Sequence, residues 1–457
     1  MWRIEIFSIN VHFILFKHYA NIVYMFKSFF KTIISSVIQF EARLILKKYK
    51  PKIVGVTGSV GKTSTKDAIY SVMSTSFYVR KSEKSFNSDI GIPLTVLGCN
   101  NAWSNPIMWF CNILDGLKLL IFKNNYPEWL ILEVGADRPG DIRKITRWLK
   151  PDVAVLTKFA KIPVHIEFFK DRDEIIREKK YLVDALKHGG VLIVNGDDED
   201  AMKIRESSKN NSIVYGTDKV SDLVASNIEV NYSEDKKPCG MSFKVDYNND
   251  SVPVIMNGTL GVQNIYSALG AFAVGLSQKV NLVDAGISLL NYDTPRGRMK
   301  IIRGIKDTTI IDDTYNSSPV ALASAINILK EVKIKNKARK IAVLGDMMEL
   351  GKHSADEHYK AGQFLANICD DLFTVGIRAR KIAEGALDTE MSEKNIFQFE
   401  DSVEAGKFLQ EYIKKNDVIL LKGSQSIRME KAVLEIMAEP EKAGELLVRQ
   451  EEEWLSR

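Results

Sequence analysis

Apolar and polar positions along this chain follow two rhythms. Short β-branched runs at Lys52–Thr57, Trp129–Val134, Val153–Thr157 and Val191–Asn195 predict buried strands. Between them, apolar residues three to four apart predict helices over Thr63–Thr75, Gly140–Leu149 and Arg172–Leu186. That alternation predicts a parallel sheet with helices on both faces. Residues 212–258 change character. Their alternating Ser, Val, Asn and Asp, broken by turn clusters, predict a small antiparallel insertion. A helix is predicted over Gly261–Ser277, and the breaker cluster Asp293-Thr-Pro-Arg-Gly297 marks a domain boundary. Beyond it, strands recur at Thr309–Asp313, Lys340–Gly345, Leu372–Val375 and Val418–Lys422. They outline a second α/β unit of roughly 140 residues, a normal domain size. The tail Glu439–Arg457 reads as a charged, solvated helix.

Two apolar stretches fall outside this scheme. Residues 1–50 mix a dense aromatic and aliphatic set with eight lysines and arginines against Glu5 and Glu41. The rest of the chain is left at a net −1 out of the formal +5. No uncharged run there reaches the roughly 18 residues of a spanning helix, and no small-residue cleavage site follows the apolar part. A basic amphipathic segment of this kind, residues 1–48, is expected either to lie on an anionic membrane surface or to pack on protein. The second stretch, Trp103 to Phe122, either shares that surface or forms an ordinary core helix, and the core helix is the expectation.

A length of 457 residues implies two or three domains, and 45% hydrophobic with 26% charged residues suits a globular protein. The four scattered cysteines form no C-x-x-C pair, which suits a reducing cytoplasm rather than a disulfide or zinc framework. Because the positive charge gathers at the N-terminus, no basic stripe for nucleic acid runs over the body of the chain.

The strongest chemical signal is Val54-Gly-Val-Thr-Gly-Ser-Val-Gly-Lys-Thr-Ser-Thr65, a strand running into a glycine-rich turn. Gly58 and Gly61 allow a curl in which the amides of Thr57, Gly58, Ser59, Val60, Gly61 and Ser64 approach a phosphate. Lys62 can then reach the β/γ-phosphates, and the Thr63 hydroxyl can ligate Mg²⁺. Val56 stands where the strict Walker pattern has its first glycine, so the loop is a variant of it. Glu133, at the end of a strand beside this loop, is placed to hold Mg²⁺ or to serve as a plain surface or capping glutamate. Taken alone, His165 reads as structural and Lys179 as solvated. Polar clusters at Ile311–Pro319 and Leu344–Gly351 follow successive strands. They mark either the ligand edge of a doubly wound sheet or ordinary turn chemistry.

In order and spacing these motifs resemble the Mur ligase family over about residues 50–435. The likeness rests on Thr57–Thr65, Asn87–Leu94, Glu133–Ala136 with Pro139-Gly140, and His165–Phe169. It continues in Gly261–Asn264, Gly297-Arg298, Asp312–Pro319, Gly345–Gly351 with His358, and Lys422–Glu430. The resemblance implies an α/β architecture. A P-loop central domain with a mostly parallel sheet (49–295) would be followed by a smaller Rossmann-like domain (296–437) and a tail (438–457). It also implies transfer of the ATP γ-phosphate to a carboxylate, then attack on the acyl phosphate by an amine such as D-alanyl-D-alanine, with two Mg²⁺ ions. The carboxylate would belong to a cell-wall peptide precursor, and the enzyme is expected to be a cytoplasmic monomer.

Residue by residue, Thr63 and Glu133 match one metal site, and His165 matches a ligand or near neighbour of the second. Lys179 falls where the family has a carbamylated lysine, with Lys180 one place away. Asn264 matches the adenine-side contact, Arg298 the arginine near the γ-phosphate, and Asp313 and Asn316 nucleotide contacts from the C-terminal domain. Two departures stand out. A basic amphipathic segment precedes the phosphate loop where the family has its UDP-holding domain, so a lipid-linked acceptor becomes an expectation beside the UDP-linked one. Also, Asp137-Arg138 follows Ala136 where Asn-His is usual for addition of D-alanyl-D-alanine. Two rival readings are a polyglutamate-type synthetase and a membrane-recruited nucleotide switch.

Overall fold

The computed structural model describes residues 32–83, 86–103, 105–163, 165–335 and 337–455. The chain forms two compact units, residues 1–51 with 86–126, and residues 52–85 with 127–457.

The larger unit contains two sheets. The first is built from β1 (Lys52–Thr57), β2 (Val79–Lys81), β3 (Trp129–Glu133), β4 (Val153–Leu156), β5 (Val191–Asn195), β6 (Asn211–Gly216), β7 (Leu223–Tyr232), β8 (Pro238–Tyr247) and β9 (Asp250–Asn257). Its order is β2-β3-β1-β4-β5-β6-β7-β8-β9. Every pair from β2 to β7 is parallel, and β7–β8 and β8–β9 are antiparallel. The antiparallel insertion expected within residues 212–258 is present as β7, β8 and β9. These strands extend the same sheet, because β6 pairs in parallel with β7 at Tyr215↔Leu223 and Gly216↔Val224.

Strand β3 is buried at every position, so its continuous apolar run needs helices on both faces. On one face the helices Lys62–Met73 and Val262–Ser277 pack into the core through Ile69, Val72, Ile265, Leu269 and Phe272. Successive strands fall on opposite sides of β1, first β2 and β3, then β4 and β5, so the order reverses there. That reversal opens the crevice in which ligands of such sheets bind. The helix expected over Gly140–Leu149 is shorter, Asp141–Thr146.

The second sheet comprises β10 (Lys300–Arg303), β11 (Thr309–Asp313), β12 (Lys340–Gly345), β13 (Asp371–Val375), β14 (Ile396–Phe399) and β15 (Val418–Lys422), in the order β10-β11-β15-β12-β13-β14. Only β10 runs antiparallel to its neighbour. Both sheets thus have the mixed, mostly parallel α/β character expected. The tail differs from expectation. It breaks into the one-turn helix Ala443–Leu446 followed by Leu447, Val448 and Arg449, all buried, so it is docked rather than solvated.

In the smaller unit, a helix over residues 32–49 accompanies helices Gly91–Leu97 and Pro106–Ile121. The amphipathic reading of residues 1–31 lies outside the described residues. Asn105 caps helix Pro106–Ile121 by accepting from the amides of Ile107 and Met108 at 3.0 and 3.1 Å. At the other end Lys48 Nζ donates to the carbonyls of Leu119, Leu120 and Phe122 at 2.8, 2.9 and 2.7 Å. A cation there meets the negative pole of the helix. This helix is not the core helix expected. Only Trp109, Asn112 and Gly116 are buried, and Gly116 faces Glu41 so closely that a Cβ would lie 2.4 Å from its Oε2.

Candidate active site

The glycine-rich loop leaves β1 at its C-terminal end, between the ends of β3 and β4. Gly58 has φ +146°, and a Cβ there would lie 1.9 Å from Thr157 Oγ1, so a side chain is excluded on both counts. The amides of Ser59 and Val60 donate to Lys158 O at 2.8 and 3.1 Å. This anchors the loop on the neighbouring strand end and takes those two amides away from the phosphate cradle expected of them. The remaining anion-facing donors are those of Gly61 and the first turn of helix Lys62–Met73, where helix geometry leaves amides without intrahelical carbonyls. Thr57 and Ser64 are buried at the base of the loop, and Tyr292 donates to Ser64 O at 3.0 Å.

One hydroxyl joins three parts of the sequence. Thr63 donates to Glu133 Oε2 at 2.8 Å and accepts from Arg298 Nη2 at 3.0 Å. Thr63 and Glu133 are buried, at 6% and 2% exposure, so this contact is sheltered from solvent competition. Lys62 stands near enough to both charged groups to feel them. Burial lowers its pKa, opposed by the nearby Glu133 charge and reinforced by Arg298.

Lys179 and Lys180 part company. Lys179 is buried, and desolvation together with the charge of Lys62 brings its pKa down to about 7. Lys180 turns outward to pair with Asp184. The preceding Glu178 is buried and accepts from the amides of Gly140, Ile142 and Arg143 at 2.9, 2.7 and 3.1 Å, which locks this helix against the N-terminus of Asp141–Thr146.

His165 has φ +70° and brings two motifs together. Its Nδ1 lies 2.7 Å from Glu349 Oε2 and its Nε2 3.5 Å from Asp137 Oδ1. Glu349, in the loop after β12, likewise has a left-handed φ of +61°. The motif Gly345–Gly351 is legible in the sequence, but nothing in it singles out Glu349. Among the described residues, no group of three or more His, Cys, Asp or Glu side chains is set to hold a metal by itself.

Asn264, by contrast, spends its amide on Thr259 Oγ1 and Leu260 O at 2.7 and 2.9 Å, so a contact with an adenine would have to use its oxygen. Asp313 and Asn316 are fixed by Lys422, whose Nζ donates to Asp313 Oδ2 at 2.6 Å and to Asn316 O at 2.8 Å. Burial pushes Asp312 up to about 6. His358 has a structural place, accepting from the Met347 amide at Nε2 (2.8 Å) and lying 2.6 Å from Ser354 O at Nδ1.

The loop after β11 also carries Tyr315, whose ring stacks under Arg298 and beside Arg449 of the tail. The signal that could have revealed Arg449 is the apolar triplet Leu446-Leu447-Val448 just before it, in an otherwise charged tail.

Residues 56–108 and 112–275 match the model of the Mur ligase middle domain, and residues 297–425 match that of the Mur ligase glutamate ligase domain. The chain belongs to the Mur ligase family. It is an ATP-dependent ligase, and its two sheets are the Mur ligase middle and C-terminal domains. A UDP-N-acetylmuramoyl-tripeptide–D-alanyl-D-alanine ligase of Bacillus subtilis is 28% identical to this Mur ligase over 406 residues, 89% of this chain and 80% of that protein. The crystal structure of the MurF ligase from Thermotoga maritima in complex with ADP superposes with a TM-score of 0.71 at 25% identity, covering 89% of this chain and 84% of that one. A folylpolyglutamate synthase of Mycobacterium tuberculosis shares the fold alone, with a TM-score of 0.60 at 11% identity over 84% of this chain and 92% of that one.

Proposed function

We propose that this Mur ligase joins D-alanyl-D-alanine, or an amine of the same class, to the terminal carboxylate of a cell-wall peptide precursor. The observation that carries the reading is the Thr63 hydroxyl shared between Glu133 and Arg298. It sets the phosphate loop, a sheet carboxylate and the arginine that precedes the second sheet around one point, where the γ-phosphate of ATP would end.

There, Lys62 and the first-turn amides hold the β- and γ-phosphates, and Arg298 faces the charge that builds up as the phosphoryl group passes to the acceptor carboxylate. One carboxylate and one hydroxyl 2.8 Å apart suit a Mg²⁺ ion, which takes few protein oxygens and completes its shell with phosphate and water. His165, with Asp137 and Glu349 beside it, would border a second ion. Bound Mg²⁺ supplies Lewis-acid charge stabilisation at the phosphoryl oxygens.

Lys179 is the better candidate for carbamylation, since burial at a pKa of about 7 leaves part of its amine neutral near pH 7. That amine would add to CO₂, lose a proton and become a carbamate, giving an anion beside Lys62 where the cation is disfavoured. Asp313 and Asn316, held by Lys422, would meet the nucleotide from the second sheet, and Asn264 would meet the adenine through its oxygen.

The test is ADP release with ATP and Mg²⁺ across a matrix of acceptors and amines. UDP-linked and lipid-linked muramoyl tripeptides would be set against D-alanyl-D-alanine, single amino acids and glutamate. Release that needs both a muramoyl tripeptide and the D-alanine dipeptide is expected. Release driven by glutamate on a folate-like acceptor would replace the proposal with the polyglutamate reading. Release indifferent to any amine would replace it with a nucleotide switch.

A further inference from the structure

Helix Pro106–Ile121 exposes what a core helix would hide. Ile107, Phe110, Leu114, Leu117 and Ile121 are 74, 60, 39, 41 and 71% exposed. Their spacing of three, four, three and four residues puts all five on one helical face, a stripe about 21 Å long. Cys111 and Lys118, both exposed, fall on the same face. The opposite face is used up by Trp109, Asn112 and Gly116. Scattered exposed apolar residues need no explanation, but a continuous stripe of this length does.

The helix has 16 residues, and no described helix is long and apolar enough to cross a membrane. Both its ends are nonetheless satisfied. Asn105 takes the first amides, while Lys48 and Tyr49 take the last carbonyls, so the polar termini do not oppose burial of the face in a medium poor in water. The surrounding charge selects the partner. The described part of the unit formed by residues 1–51 and 86–126 holds six lysines and arginines against three acids, one of which, Glu41, is buried. Arg43, Lys47, Lys48, Lys50, Lys118 and Lys123 are exposed. A second copy would bring like charge against like charge, whereas an anionic lipid surface attracts it.

We propose that helix Pro106–Ile121 lies in the headgroup layer of an anionic membrane, with its apolar stripe among the acyl chains and the cations at the phosphates. This is a contact by a different segment from residues 1–48, and it holds whichever acceptor the enzyme uses.

The test labels Cys111 of the full-length chain with an environment-sensitive fluorophore, Cys99 and Cys239 having been replaced by serine. Vesicles of phosphatidylcholine alone, or mixed with phosphatidylglycerol, are then added. A blue shift with the anionic vesicles only, quenched by lipids brominated on their acyl chains, is the expected result. In parallel, Leu114→Glu/Leu117→Glu should lower partitioning onto these vesicles about tenfold while amine-dependent ADP release with water-soluble substrates stays unchanged. An unshifted probe on protein that still sediments with the vesicles would overturn the proposal and place the contact elsewhere in the chain. A shift that follows protein concentration without vesicles would overturn it in favour of self-association, and undiminished partitioning of the double variant would overturn it as well.

Discussion

The guanidinium carbon of Arg298 lies 4.1 Å from the ring centroid of Tyr315. Arg298 therefore touches the phosphate-loop hydroxyl of Thr63 with one edge and an aromatic face with its plane. Tyr315 is in turn held from behind by the tail. Arg449 donates to Thr314 O at 3.3 Å and to the carbonyl of Tyr315, and pairs with Glu430 at 2.8 Å.

Removing the ring should therefore be felt at the nucleotide. Tyr315→Leu is expected to cost about 1 kcal/mol of Arg298 positioning, seen as roughly a fivefold loss in kcat/KM for ATP with little change in melting temperature. Arg449→Ala should instead cost stability first, on the order of 2–3 kcal/mol, because it withdraws one partner from the buried carboxylate of Glu430. Steady-state kinetics and urea titration of both variants check the pair. Equal loss of stability in the two would break the distinction.

Glu133→Gln keeps shape and hydrogen bonding to Thr63 but removes the charge. A drop in kcat of about 10²-fold or more is expected, on the scale of losing one electrostatic contact in a closed site. Raised Mg²⁺ should recover part of the activity. A variant as active as the parent at low Mg²⁺ would separate Glu133 from the metal.

Lys179 leaves a mark on stability that needs no turnover. Its folded pKa of about 7 lies below the 10.5 of the unfolded chain, so between these values the unfolded state binds the extra proton. The penalty for burying this amine is then complete below about pH 7 and fades as pH rises towards 10.5, so its contribution makes stability climb with pH. Lys62, lowered for the same reason, adds to the climb. In CO₂-free buffer, Lys179→Met should flatten the rise in urea midpoint between pH 7 and 10 by an amount equal to a few kcal/mol. If the slope is the same in parent and variant, Lys179 is charged in the native state.

Glu41 should act with the opposite sign. Neither carboxyl oxygen has a hydrogen-bond partner among the described residues, and desolvation raises its pKa from 4.5 to about 7. The unfolded chain gives up this proton first. Its favourable share is present below pH 4.5 and is lost as pH rises to about 7. Glu41→Gln should slow hydrogen exchange in the helix over residues 32–49 at pH 8 and change little at pH 5. Faster exchange at pH 8 would mean the carboxylate is paired there.

Much of the scaffold was readable because its strands are buried on both faces and carry unbroken apolar runs, as in Leu130-Ile-Leu132 and Val153-Ala-Val155. The phosphate loop was readable because the requirement for glycine at position 58 is local. What could not be read were relations set by packing. Periodicity gives a helix over Pro106–Ile121 but not which face finds a partner. The pairing of His165 with Glu349 joins loops 184 positions apart, and both hold backbone conformations that no propensity favours. Lys179 and Lys180 are indistinguishable in composition, and only burial separates them. The tail failed for a simpler reason. Its charges outvoted the short apolar triplet ending at Val448, although the triplet decides where it goes.

The helix with the exposed stripe belongs to the connection between two neighbouring parallel strands. The chain leaves the nucleotide sheet after β2 and re-enters it at β3, paired Lys81 against Ile131, so it must return to the opposite end of the sheet before β3 begins. Any such return needs a dozen residues or more, and here residues 86–126 make it. The smaller unit is therefore stitched into the catalytic one rather than appended to it. Cutting the chain at residue 51 would not release it. It would leave Gly116 without Glu41 of the helix over residues 32–49, and β2 and β3 still tied through an orphaned loop. An engineer wanting the ligase without that surface would have to design a new crossover, and a lineage shedding it would face the same obstacle.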